Sequence, residues 1–166
     1  LHDISDYGRA EATFCPAKAD NLSVDKNWIL IDDETGLHVG WYFWLRVLDE
    51  ANRSSRYGNP FGLLMLRGDF EGLTERQQCE ALAGVARAIR STDVGGRLNH
   101  SKAAVILLEQ DAISAQAAAE RITQRLGAEA STRWSTDLYC YPGDAAAISN
   151  LLTQGRAELE RTELPA

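Results

Sequence analysis

The sequence predicts one domain of α+β or α/β class, a single central mixed sheet covered by helices. Three observations carry this expectation. Predicted elements alternate as helix, strand, helix, hairpin, helix, strand, helix. The predicted strands are short apolar runs between Gly, Pro and Asn breakers, and the helices repeat apolar residues at helical spacing. A chain of 166 residues with 45% hydrophobic composition fits one domain, with or without a tail, and can bury a real core.

Residues 1–30 mix polar, small and aromatic types without a clean period, and are expected to form a linker or lead-in before a domain over 31–166. Order is expected to begin near "NWILIDDETGL". A helix follows from Leu37, with Trp41, Trp44, Leu45 and Leu48 at helical spacing, and Gly58 and Pro60 end it. "FGLLMLRG" reads as a central strand. "TERQQCEALAGVARAIR" opens with a capping box, Thr74 with Gln77, and sets Leu82, Val85, Ala86 and Ile89 on one face up to Arg90. "DVGGRLNHSKAAVILLEQ" reads as two strands with a turn near Asn99 to Lys102. Asp111 caps an Ala-rich helix that Gly127 closes, "STRWSTDLYCY" is a strand, and a last amphipathic helix starts after Asp144.

The formal charge of -7 and a pI near 5.0 argue against nucleic acid polymers as the main partner. A small anionic ligand held by local arginines is compatible with them. Cys15, Cys79 and Cys140 lack the close pairing of zinc sites or disulfide scaffolds, so reduced, partly buried thiols of a cytoplasmic protein are expected. No apolar run is long enough to cross a bilayer, and no signal-peptide pattern follows Leu1. A chain without an initiator Met is expected to be a piece of a longer protein, with any membrane attachment or adjoining domain outside it.

The element order, with "DDETGL" before the first helix and "YPGDAAAISNLL" before the last, resembles the GGDEF domain of diguanylate cyclases from Ile31 to Glu160. The resemblance implies a nucleotidyl cyclase-like fold. In that family a strand ends in a metal-binding Asp and a hairpin carries the signature. Placing Gly95 and Gly96 at the signature glycines would force "HSKA" to begin a buried strand, which is physically poor. Placing "NHSKA", Asn99 to Ala103, over the signature sets "AAVILL" at the apolar strand and "DVGGRL" before the turn. The visible glycine pair is then a decoy.

In this register the resemblance implies lost chemistry. Cyclisation of GTP needs carboxylates to hold divalent metal, but the strand-end Asp corresponds to Arg67 and the hairpin acid to Ser101 or Lys102. Asn99 and His100 replace the hairpin glycines, and the guanine-reading segment is shortened to "EGLTERQQ". The expectation is a chain with no catalytic residues, no bound metal and no cofactor. Asp69 reads as a turn acceptor and His100 as a solvated turn residue. His38 reads as part of the helix start.

A second family feature is kept. Receptor sites for cyclic di-GMP in this family carry R-x-x-D five residues before the signature, and Arg90, Ser91, Thr92 and Asp93 spell it, followed by "VGGRL". An arginine fork can donate to a guanine O6 and N7 edge or to phosphate, and a carboxylate can accept from guanine N1–H and N2–H. R-x-x-D alone is weak, since Arg46 to Asp49 also match it on a helix surface. Arg121, in "AERI", stands where the family's site often adds an arginine from the following helix. Arg53 matches a position from which a neighbouring domain contributes one in some relatives; its plain reading is a surface cation.

The primary expectation is an inactive domain that binds cyclic di-GMP, as an intercalated dimer, through Arg90, Asp93, Arg121 and as a further candidate Arg53. Signalling would pass to an effector protein or adjoining domain by conformational change or ligand-bridged dimerisation, as in control of exopolysaccharide production or motility by bacterial second messengers. The rival is a ligand-free interaction or dimerisation module using "GWYFW", Gly40 to Trp44. An active enzyme has only Asp33, Asp69 and His100 to offer.

Overall fold

The computed structural model describes residues 30–129 and 132–163. The expected lead-in over 1–30, with Cys15, lies outside the described residues apart from Leu30. The chain then runs β1 (His38–Val39), α1 (Gly40–Tyr57), β2 (Phe61–Gly68), α2 (Glu75–Ala88), β3 (Val94–Arg97), β4 (Lys102–Leu108), α3 (Ala112–Glu129), β5 (Trp134–Tyr141) and α4 (Ala145–Glu163).

One five-stranded mixed sheet takes the order β1-β3-β4-β2-β5. Among the described residues its only parallel pair is β1 with β3, and the remaining pairs are antiparallel. The apolar run of β2 is central as expected, because both faces of Phe61 to Leu66 are needed for packing. On one face, Leu64, Leu66, Ala103, Val105 and Leu107 meet α2 and α3 through Leu82, Val85, Ala115 and Ile122. On the other, Phe61, Leu63, Ala104 and Ile106 meet Phe43, Trp44 and Val47 of α1 and Ile148 of α4.

Three boundaries differ from expectation for local reasons. Leu37 does not start α1, because His38 and Val39 are extended and pair with Gly96 and Arg97; the helix begins at Gly40 and ends at Gly58, which has a φ of 77°. Of the expected stripe on α1, Trp44 is buried, Trp41 and Leu48 are half-buried and Leu45 faces solvent. Phe43, Trp44, Val47, Glu50 and Ser54 are buried, while Leu45 is 45% exposed. α2 stops two residues before Arg90, and α3 passes through Gly127 to Glu129 without a left-handed turn.

The capping box of α2 is present in both directions, with Thr74 N–H donating to Gln77 Oε1 at 2.9 Å and Gln77 N–H to Thr74 Oγ1 at 3.2 Å. Asp111 caps α3 through Ser114 N–H at 2.8 Å. No described helix is long and apolar enough to cross a membrane. Cys79 and Cys140 are free and half-buried.

Candidate functional site

The β3–β4 hairpin turns at Asn99 to Ser101, where Asn99 Oδ1 accepts the Ser101 N–H at 2.8 Å. Gly95 and Gly96 therefore sit inside β3, opposite Val105 and Ala104. A Cβ on Gly96 would lie 2.3 Å from Phe43 Cγ, and one on Gly95 would lie 2.8 Å from Leu37 Cδ2. The glycine pair is a packing device that lets α1 and Leu37 close on the strand.

Arg67 and Lys102 are cross-strand partners at the hairpin end of β2 and β4. These are the positions to which the resemblance assigns metal-binding carboxylates. Two cations side by side, with Ser101 next in sequence, do not fit a divalent metal. Among the described residues, no group of three His, Cys, Asp or Glu side chains could hold one. Asp33 is exposed, and exposed Asp69 accepts the Glu71 N–H at 3.4 Å in a turn.

At the opposite end of β3, α2 gives way to a short closed loop. Ile89 is extended, and the Arg90 N–H, instead of continuing the helix, donates to Asp93 Oδ2 at 2.9 Å. The Asp93 N–H returns to the Arg90 carbonyl at 3.0 Å. The Arg90–Asp93 contact thus runs through backbone, leaving the Arg90 side chain exposed. The Asp93 side chain is only 1% exposed, and Arg121 Nη2 on α3 approaches its Oδ2 at 3.9 Å. Asp93 Oδ1 and Arg121 Nη2 are buried without hydrogen-bond partners among the described residues. Folding brings Arg90 and Asp93, in the loop between α2 and β3, together with Arg121 of α3. Arg53 lies elsewhere, on α1 and the other face of the sheet, where it pairs with buried Glu50 at 3.4 Å.

One cluster escaped sequence reading. Arg97 Nη1 donates to Asp32 Oδ2 at 2.8 Å and to Glu34 Oε2 at 3.2 Å, and Cys79 Sγ donates to Glu34 Oε2 at 3.0 Å. Burial opposes ionisation of Asp32, yet the Thr35 hydroxyl at 2.7 Å and the Arg97 guanidinium together hold its carboxyl below the usual range. The hydrogen bond to Glu34, followed by burial, pushes the Cys79 thiol up. This network ties the "DDETG" turn to β3 and walls a cleft of about 480 Å³ that also contains Glu75, Arg76 and His100. His100 is exposed at its rim.

No family model and no curated protein matches the sequence. Solved structures do match. The GGDEF domain of DgcB from Caulobacter crescentus, in complex with c-di-GMP, is 15% identical with a TM-score of 0.62, covering 78% of this chain and 88% of that chain. The FimX GGDEF domain from Pseudomonas aeruginosa is 19% identical, with a TM-score of 0.61 and coverage of 80% and 94%. The diguanylate cyclase SiaD from Pseudomonas aeruginosa, in complex with its activator SiaC, is 20% identical, with a TM-score of 0.59 and coverage of 93% and 68%. At these identities the likeness establishes the fold: this is an α+β domain with the nucleotidyl cyclase-like architecture of GGDEF domains.

Proposed function

We propose that this chain is a catalytically inactive GGDEF domain that serves as a receptor for cyclic di-GMP through Arg90, Asp93 and Arg121. The observation that carries the reading is the pair of buried, unsatisfied atoms, Asp93 Oδ1 and Arg121 Nη2, beside exposed Arg90. Buried polar atoms are nearly always hydrogen-bonded, and leaving one unpaired costs about 1–3 kcal/mol. A guanine supplies what each lacks: N1–H and N2–H for the carboxylate, and O6, N7 or phosphate oxygens for the guanidinium groups. Arg67 facing Lys102 supports the inactive half of the reading, since both repel the cation that GTP cyclisation needs.

The ligand enters as an intercalated dimer whose stacked purines offer faces to Arg90 and Arg121. Its binding changes domain conformation or bridges two copies, where Arg53 of a neighbour can join. A complex of a GGDEF domain with c-di-GMP and another with a protein activator, both sharing this fold, support a nucleotide ligand and a protein effector. The domain proper is residues 31–166, in the cytoplasm.

Calorimetry with cyclic di-GMP tests the reading. Binding is expected, with at least a tenfold loss in Arg90→Ala and none in Arg46→Ala, the surface copy of the same motif. No heat at tens of micromolar ligand would favour the rival, a nucleotide-free interaction module. The outward residues Trp41, Leu45 and Leu48 of α1, which form a groove of about 280 Å³ with Leu152 and Leu159 of α4, give that rival its support. Incubation with GTP and magnesium should yield no cyclic product.

A further inference from the structure

The Asp93 carboxylate is shut in. Its side chain is 1% exposed, and Arg121 Nη2 stands 3.9 Å from Oδ2, close enough for an ion pair and too far for a hydrogen bond. Nη2 is itself buried while the Arg121 side chain is 28% exposed, so the guanidinium reaches from the carboxylate out to solvent. A carboxylate this enclosed meets no guanine edge until something over it moves. Asp93 is the fixed partner: its N–H bonds the Arg90 carbonyl at 3.0 Å, its Oδ2 accepts the Arg90 N–H at 2.9 Å, and the next residue, Val94, is already paired with Ile106. Arg121 is the movable one. One turn away on α3 it has Ala117, Ala118, Gln124 and Arg125, so no acid on its own helix competes with Asp93 for it. The turn its stem lies over carries only the two alanines, which leave it room to swing.

We propose, resting on the receptor reading above, that Arg121 is a gate: closed, its guanidinium covers the Asp93 carboxylate, and a ligand phosphate draws it outward so that the carboxylate opens to guanine. Exposed Arg90 makes the first contact, because it needs no rearrangement. The phosphate then offers Arg121 the charge-assisted hydrogen bonds that its 3.9 Å pair with Asp93 does not supply. Once uncovered, Oδ1 accepts from guanine while Oδ2 keeps its bond to the Arg90 N–H, so the loop holds its shape. A ligand without phosphate binds only the fraction of molecules that stand open, and its apparent affinity falls by that fraction. The site thus requires phosphate and guanine on one molecule. A bare nucleoside has the edge that Asp93 reads but not the charge that moves Arg121.

Carbodiimide coupling of glycine ethyl ester to accessible carboxylates of the 166-residue chain, read residue by residue in a mass spectrometer, tests the closed state without ligand. Asp93 should label far more slowly than exposed Asp137 in the parent, and at a rate near that of Asp137 in Arg121→Ala. Ala117→Glu keeps Arg121 and sets an acid one turn before it on α3, which should speed Asp93 labelling about twofold. The binding arm compares cyclic di-GMP with guanosine. Arg121→Ala should weaken cyclic di-GMP about tenfold, yet millimolar guanosine should move the Asp93 amide resonance in that variant and not in the parent. An arginine that only contacts the ligand would produce no such gain. Asp93 labelled as fast as Asp137 in the parent, or guanosine acting equally on parent and variant, would overturn the gate and leave the receptor reading standing. A parent with protected Asp93 that fails to bind cyclic di-GMP would overturn the receptor reading, and the gate's role with it.

Discussion

Arg67 and Lys102 stand directly opposite each other where β2 and β4 leave the core. Like charges facing across a ladder destabilise it, whereas opposite charges add about 0.2–1 kcal/mol. Lys102→Glu is therefore expected to raise stability by about 0.5 kcal/mol in urea unfolding at low salt. The gain should fade in molar salt. A loss of stability at both salt concentrations would show that the two cations do not feel each other.

Asp93 has two separable jobs. Its Oδ2 holds the Arg90 N–H, and its Oδ1 is buried without a partner. Asp93→Ala removes the loop acceptor and should cost about 1–3 kcal/mol, as expected when a part-buried donor is left unmade. Asp93→Asn keeps a carbonyl oxygen for that donor and should cost less than half as much. Both variants should lose cyclic di-GMP binding by at least tenfold, since the amide cannot match the carboxylate toward guanine N1–H and N2–H. Unimpaired binding in Asp93→Asn would move the ligand elsewhere.

The glycine pair should behave as packing. Gly96→Ala drives a methyl against Phe43 Cβ and Cγ, atoms close to the helix backbone that cannot swing away, and should cost about 3 kcal/mol. Gly95→Ala meets only the chain ends Leu37 Cδ2 and Ile89 Cδ1 and should cost about 1 kcal/mol. Thermal unfolding of the two variants measures the difference. Equal and negligible costs would return these glycines to a role in ligand approach.

Asp32 gives the fold a dependence on pH. Its folded carboxyl is held below the ordinary value of 3.8. A depressed value contributes stability that is present above the unfolded value and is lost as pH falls through the folded one. Asp32→Asn should therefore be less stable than the parent near neutrality, and the two should converge in strong acid. Urea unfolding across the acid range reads this directly, and a gap that widened on acidification would reverse the assigned sign.

Much of this architecture was legible in the sequence because its signals are local. Thr74 and Gln77 announce a helix start by chemistry that needs only four residues. The hairpin register followed from "AAVILL", which must be buried, and from Asn99, which closes a turn through its own side chain. What was misread depended on distant partners. His38 and Val39 look helical beside "GWYFWL" and become a strand only because β3 offers them an edge. The stripe of Trp41, Trp44, Leu45 and Leu48 is as regular as a core face, but the sheet buries Trp44 beside Phe43 and Val47 and leaves Leu45 exposed.

By itself the sequence determined the element order, the N-terminal caps of α2 and α3, the hairpin turn and the presence of Arg90 and Asp93 at a helix-to-strand junction. Tertiary structure alone decided which charges meet. Arg97 finds Asp32 across 65 positions, Arg121 reaches Asp93 from α3, and Arg53 is carried to the opposite face of the sheet. Local sequence specifies backbone conformation through short-range sterics and hydrogen bonds, but ion pairs such as these exist only once chain segments far apart have packed.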